Sequence, residues 1–128
     1  MEDLKIKLSA LWLFIGIGII IQVLLNIIKP GSLAQLMAGN FEGMIITQEI
    51  LLFWAALFLS PSVIALLSLA LKDSINRWVN IIAGIIFVIL GLIGFIEYLV
   101  DAYAILILTT RIIVAALIIW LAWKWPKQ

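Results

Sequence analysis

Cysteine and histidine are both absent from this 128-residue chain. That removes disulfides, thiolate metal sites, iron–sulfur clusters, histidine-ligated haem and histidine proton relays, and no metal or cofactor is expected. Charge is scarce as well, with 12% Asp, Glu, Lys and Arg where soluble domains carry roughly a quarter. The formal net charge of +1 offers no field for nucleic acid. Every lysine (Lys5, Lys7, Lys29, Lys72, Lys124, Lys127) falls at a segment end, so none lies mid-membrane to carry a retinal-type Schiff base. Without histidine, cysteine or a serine beside a recognisable base, enzyme chemistry has thin support and no catalytic residue is identified. The first apolar run has no glutamate, the residue on which a small multidrug exporter of similar size depends.

What the chain has is apolar length. At 66% hydrophobic residues its solvent is read as the bilayer, and four stretches reach the ~20 residues that cross ~30 Å of hydrocarbon. They run from about 8 to 28, 44 to 71, 78 to 97 and 102 to 123, using nearly the whole length. The fold class is therefore an all-α membrane protein, a single four-transmembrane-helix bundle over 1–128. Lys5 and Lys7 before the first run resemble a signal peptide, but the run continues to Ile28 with no small-residue cleavage site, so it reads as a retained helix.

Between the first two spans, Pro30 and Gly31 end the first helix. Residues 32–38 read as a short interfacial helix or a loop, with Ser32 as a cap and Gly39 as the stop. The second span would measure ~40 Å as one helix, so it must tilt, kink or protrude. Pro61 is its kink site, and Ser60 can partly replace the backbone bond that proline removes. In the third span Asn80, Gly84, Phe87, Gly91, Gly94 and Tyr98 share one face, and small residues there admit another helix closely. In the fourth, Ala104, Leu108, Arg111, Ala115, Ile118 and Ala122 do the same.

An even number of spans puts the termini and the 72–77 turn on one side. That side holds Lys5, Lys7, Lys72, Arg77, Lys124 and Lys127 against Lys29 opposite, so both termini are placed in the cytoplasm. Trp12, Trp78, Trp120, Trp123 and Trp125 fall at one level as an aromatic belt. The polar residues then gather in the outer half, including Gln22, Asn26, Gln48, Glu49, Thr110 and Arg111, and the inner half is almost purely apolar. Arg111 lies ten residues past Asp101, ~15 Å along a helix. An unpaired guanidinium near mid-membrane costs about 2.5 to 3.5 kcal/mol on insertion scales. Glu49, Glu97 and Asp101 are the acids in the right half, and Glu49 is the preferred partner because its stripe points inward.

The stretch Ser-Leu-Ala-Leu-Lys-Asp-Ser-Ile-Asn-Arg-Trp-Val-Asn-Ile-Ile-Ala-Gly at 68–84 and the tail Ile-Ile-Trp-Leu-Ala-Trp-Lys-Trp resemble a family of small four-helix prokaryotic membrane proteins of unknown function, loosely similar to the DoxX-like group. Leu4 to Trp12, Pro30-Gly31, Ile46-Thr47-Gln48 and Pro61 fit it too. The resemblance implies four helices in a prokaryotic plasma membrane, multi-pass, and brings no activity. Members carry a glutamate two residues before the proline and an acid near position 111; here those are Leu59 and Arg111, so no acid-based mechanism carries over.

Three function classes follow. The first is small-ligand binding or transport through an outward-facing polar cavity lined by Gln22, Asn26, Gln48, Glu49, Thr110 and Arg111, the ligand being a small molecule or lipid. The second is a structural or accessory subunit in which Arg111 belongs to a register-fixing ion pair and glycine faces recruit a second copy or another membrane protein. The third is a membrane enzyme handling a quinone or lipid.

Overall fold

A computed structural model describes residues 2–41 and 44–125. Its elements are α1 (Glu2–Ile28), α2 (Ser32–Met37), β1 (Asn40–Phe41), β2 (Met44–Ile45), α3 (Gln48–Ala70), α4 (Asp73–Glu97) and α5 (Ala102–Trp123). Among the described residues four helices, α1, α3, α4 and α5, are long and apolar enough to cross a membrane.

The connection after α1 is more structured than expected. Gly31 enters α2 at φ 87° and Gly39 leaves it at φ 85°, a left-handed backbone that side-chain-bearing residues rarely adopt. Ser32 is the first residue of α2 and makes no capping bond; Gly31 stands at the cap position. β1 and β2 then pair antiparallel, Asn40 with Ile45 and Phe41 with Met44. The second span therefore begins at Gln48 rather than at 44. Thr47 explains the boundary: its Oγ1 accepts the Ile50 backbone N–H at 3.2 Å, which satisfies one of the free donors that open every helix. The shortened helix of 23 residues measures ~35 Å, so less tilt is needed than a start at 44 would require.

Pro61 stays inside α3. The Leu57 carbonyl that a residue-61 N–H would have bonded is taken by the Ser60 hydroxyl at 2.8 Å, the local repair the sequence suggests. At the other end of α3, only Leu71 and Lys72 separate it from α4, so the expected polar connection through Arg77 is mostly the first turn of α4. The fourth span matches its expected bounds.

Packing joins the helices as two neighbouring pairs. α3 lies along α1, α4 lies along α5, and α1 meets α5; α3 touches α4 only lightly. α4 brings its glycines to α5. A Cβ built at Gly91 would sit 2.7 Å from Ile112 Cγ1, and one at Gly84 2.7 Å from Ile119 Cγ1. The glycine face is thus occupied within the chain and does not stand open for a partner. Of the four long helices α3 is the least embedded, burying only Pro61, Ala65 and Ser68, with Gly16 of α1 against Pro61.

The core gathers Leu8, Trp12, Ile15, Ile19, Phe87, Ala115, Ile118 and Trp125. Trp12 and Trp125 are therefore interior residues and not part of a belt; Trp78, Trp120 and Trp123 are exposed. The half near the termini is also less apolar than expected. Asn80 accepts the Trp12 indole N–H at 2.7 Å and a Ser68 hydroxyl at 3.3 Å. It donates to the Asn76 side-chain oxygen at 2.7 Å, and Asn76 donates to the Ser68 carbonyl at 2.6 Å. These fully buried amides are tolerated because they satisfy one another, and they tie α1, α3 and α4 together. Lys5 pairs with Asp73 at 3.3 Å beside them. Arg77 lies between Trp78 and Trp123 and donates to the Ala122 and Trp123 carbonyls that end α5. Of the basic residues used for orientation, Lys127 lies outside the described residues.

Candidate functional site

Two polar contacts join α1 to α5 in the half nearer the hairpin. Tyr103 donates its hydroxyl to Asn26 Oδ1. Arg111 donates Nη1 to Gln22 Oε1 at 2.7 Å. From Asn26 to Gln22 is one turn of α1, ~6 Å, whereas from Tyr103 to Arg111 is two turns of α5, ~12 Å. The arginine stem covers the difference by reaching toward the hairpin end, as long cationic side chains do beside apolar surface. Gly18 makes this possible: a Cβ there would lie 3.4 Å from Arg111 Cγ and 3.5 Å from Cδ, so the stem rests on bare backbone one turn below Gln22.

The partner of Arg111 is thus a neutral amide. Glu49, the carboxylate preferred on sequence grounds, is exposed in the first turn of α3. A charge there favours the positive end of the helix dipole. Among the described residues Arg111 forms no ion pair, and its Nε–H is buried with no acceptor. The reach that was expected to find Glu49 finds Gln22 first.

Around this guanidinium lies a cavity of about 190 Å³ lined by Ile19, Gln22, Val23, Asn26, Phe41, Leu57, Phe58, Tyr98 and Arg111. Its walls come from α1, β1, α3, the end of α4 and α5, so the hairpin contributes Phe41 directly, held edge-on against Trp54 of α3. Tyr98 also borders a larger, wetter cavity of about 610 Å³ at the hairpin end, together with Lys29, Gly31, Gln35, Glu97 and Asp101. Lys29 and Asp101 pair there at 2.9 Å. Tyr98 therefore borders both the hairpin-end cavity and the arginine pocket.

Of the six residues expected to line a cavity, Gln22, Asn26 and Arg111 do so. Gln48 and Glu49 begin α3 and are exposed. Thr110 turns its hydroxyl back to the Leu106 carbonyl at 2.8 Å, a satisfied local bond. Tyr98 was expected on the glycine face of the third span and not at the cavity, and Tyr103, Phe41, Leu57 and Phe58 were not singled out from the sequence. Tyr103 was within reach of it, since an interior tyrosine needs a partner for its hydroxyl and Asn26 offers one on a neighbouring helix. Among the described residues no three of Asp, Glu, His or Cys cluster as a metal site would require.

The whole chain, residues 1–128, matches the profile of a family of unknown function, DUF6326, and the protein belongs to that family. No curated relative and no solved structure matches it, and no similarity to DoxX-like proteins is found.

Proposed function

We propose that the protein is a multi-pass plasma-membrane protein of a prokaryote, with both termini cytoplasmic, that binds a small anionic ligand at Arg111 and takes part in its transport or sensing. One observation carries this reading: a guanidinium whose described partner is a neutral amide borders a cavity beneath the hairpin end. Hydrogen bonds satisfy a charge only in part, and in a low-dielectric surrounding the remainder is costly. An arriving anion would supply the missing charge. Gln22 orients the fork, Asn26 and Tyr98 offer further polar edges, and Ile19, Val23, Leu57 and Phe58 keep water from competing.

The test is direct. Purified protein in mild detergent is titrated with benzoate and inorganic phosphate while its thermal unfolding is followed. Saturable stabilisation by one of them in the wild type, absent from a monodisperse Arg111→Leu variant, supports the reading. Equal stabilisation of both proteins would sink it.

A second reading has its own observation, the paired Gln22–Arg111 and Asn26–Tyr103 bonds along one seam. In it, the seam fixes the register of α1 on α5 and the protein serves as an accessory subunit of a membrane complex. The Gln22→Leu/Arg111→Leu double variant is then more stable than Arg111→Leu or Gln22→Leu alone, since neither polar group is stranded. Co-purification of a stoichiometric membrane partner would strengthen this reading.

A further inference from the structure

α3 and α4 are tied near their connecting turn, where Asn76 donates to the Ser68 carbonyl at 2.6 Å and the Ser68 hydroxyl donates to Asn80 at 3.3 Å; elsewhere they touch lightly. Beside this tie, α4 carries an apolar groove of about 560 Å³, within the roughly 300 to 1,000 Å³ of ligand sites. Ile75, Val79, Ile82 and Ile86 line it at spacings of four and three, one stripe of the helix, and Ile64 of α3 lines it too. Ser74 borders it in the first turn of α4, and the exposed Trp78 stands one turn deeper. The groove shares no lining residue with the arginine pocket.

Its rim is basic. Ser74, Arg77 and Trp78 are three and four residues apart, so they share a face of α4, and the Arg77 guanidinium lies 5.1 Å from the centre of the Trp78 ring. Arg77 donates Nε to the Ala122 carbonyl and Nη2 to the Trp123 carbonyl, which holds it beside Trp78 and leaves Nη1 for a further acceptor. Lys72, exposed at the cap position of α4, precedes Ser74 by two residues. Asp73, the acid in this first turn, is paired with Lys5. Among the described residues neither Lys72 nor Arg77 has an ion-pair partner.

Length selects the occupant. From Ser74 to Ile86 is twelve residues, ~18 Å along a helix and little more than half of a ~30 Å hydrocarbon core. A helix of another chain packs through both halves of a membrane; an acyl chain fills one. The charge at the surface end then calls for an anion above that chain.

We propose that this groove holds one acyl chain of an anionic glycerophospholipid, its phosphate at the mouth among Ser74, Lys72 and Nη1 of Arg77. This rests on α4 spanning the membrane and not on ligand binding at Arg111. Trp78 suits the level between headgroup and chain, where one end of an indole is wet and the other apolar. Two cations beside the phosphate favour an anionic lipid over a zwitterionic one with the same chains.

Native mass spectrometry tests this on protein released from micelles holding equal amounts of phosphatidylglycerol and phosphatidylcholine of identical chains, counting bound lipids and protein copies together. One phosphatidylglycerol is retained per chain, about tenfold or more over phosphatidylcholine. Lys72→Gln, at an exposed position, lowers that preference about fivefold, and Lys72→Gln/Arg77→Gln abolishes it. Ile82→Trp, on the exposed floor of the groove, lowers retention of phosphatidylglycerol itself. Equal retention of the two lipids by the wild type overturns the proposal; that comparison needs no variant, so a poorly folding double variant does not protect it. Retention by Ile82→Trp at the wild-type level puts the lipid elsewhere and overturns it too. So does a wild-type dimer that Ile82→Trp converts to monomer, which makes a second copy the occupant.

Discussion

Replacing Asn80 by leucine tests whether the buried amide network holds the termini half of the bundle. Leucine has the heavy-atom count and branching of asparagine with somewhat greater bulk, so no cavity is opened and the loss is polar, with some crowding added. Two groups are stranded: the Trp12 indole N–H and the Asn76 side-chain oxygen, each bonded to Asn80 at 2.7 Å. Ser68 keeps its bond to the Ile64 carbonyl at 2.8 Å, and so adds little. At ~1 to 3 kcal/mol per stranded buried group the loss would be about 2 to 6 kcal/mol. Couplings between membrane helices average nearer 0.6 kcal/mol because the unfolded chain also finds partners, so the low end applies, about 2 to 3 kcal/mol. Reversible unfolding in mixed micelles, followed by circular dichroism, measures it. The sharper readout is a cycle with Trp12→Phe. Phenylalanine has no N–H to strand and retains a ring against Phe87, whose edge-on contact with Trp12 spans 5.3 Å between centroids. Asn80→Leu should therefore cost about 1 kcal/mol less in the Trp12→Phe background. Effects that add to within about 0.4 kcal/mol would refute the network as the source of stability.

Two further substitutions probe packing and the proline. Gly91→Ala places a Cβ against Ile112 Cγ1 and should destabilise by about 1 to 3 kcal/mol; adding Ile112→Ala, which clears the clash, should recover part of this in the same unfolding assay. Ser60→Ala frees the Leu57 carbonyl and should cost about 1 kcal/mol. In Ser60→Ala/Pro61→Ala the restored backbone N–H takes that carbonyl, and stability should return to near the wild type; a double variant as weak as the single one would exclude the repair.

Legibility from sequence followed the range of the interaction involved. Pro61 with Ser60, the Gly39 stop and the span Ala102–Trp123 are local matters of a missing donor, a left-handed turn and apolar length, and they were readable. The interior placement of Arg111 followed from its small-residue face. Its partner did not, because the stem crosses a helical turn and meets Gln22 before any acid. Hydropathy also hid the start of α3: Met44, Ile45 and Ile46 are as apolar as helix residues, and Thr47 marks the boundary only through one hydrogen bond. Trp12 satisfies the pattern of an interfacial belt as well as that of a core; Asn80, on a helix far away in sequence, decides between them.

The pairing of α1 with α3 and of α4 with α5 bears on how such a chain is made. A ribosome delivers the first pair before the second, and each can form from neighbours alone. The seam between α1 and α5 can close only once α5 is made, and Gln22, Asn26, Tyr103 and Arg111 all lie on it. Until then Arg111 travels without its amide, at its least comfortable. The pocket gains its Arg111 wall only when α5 arrives, so an intact pocket reports that the two pairs have met.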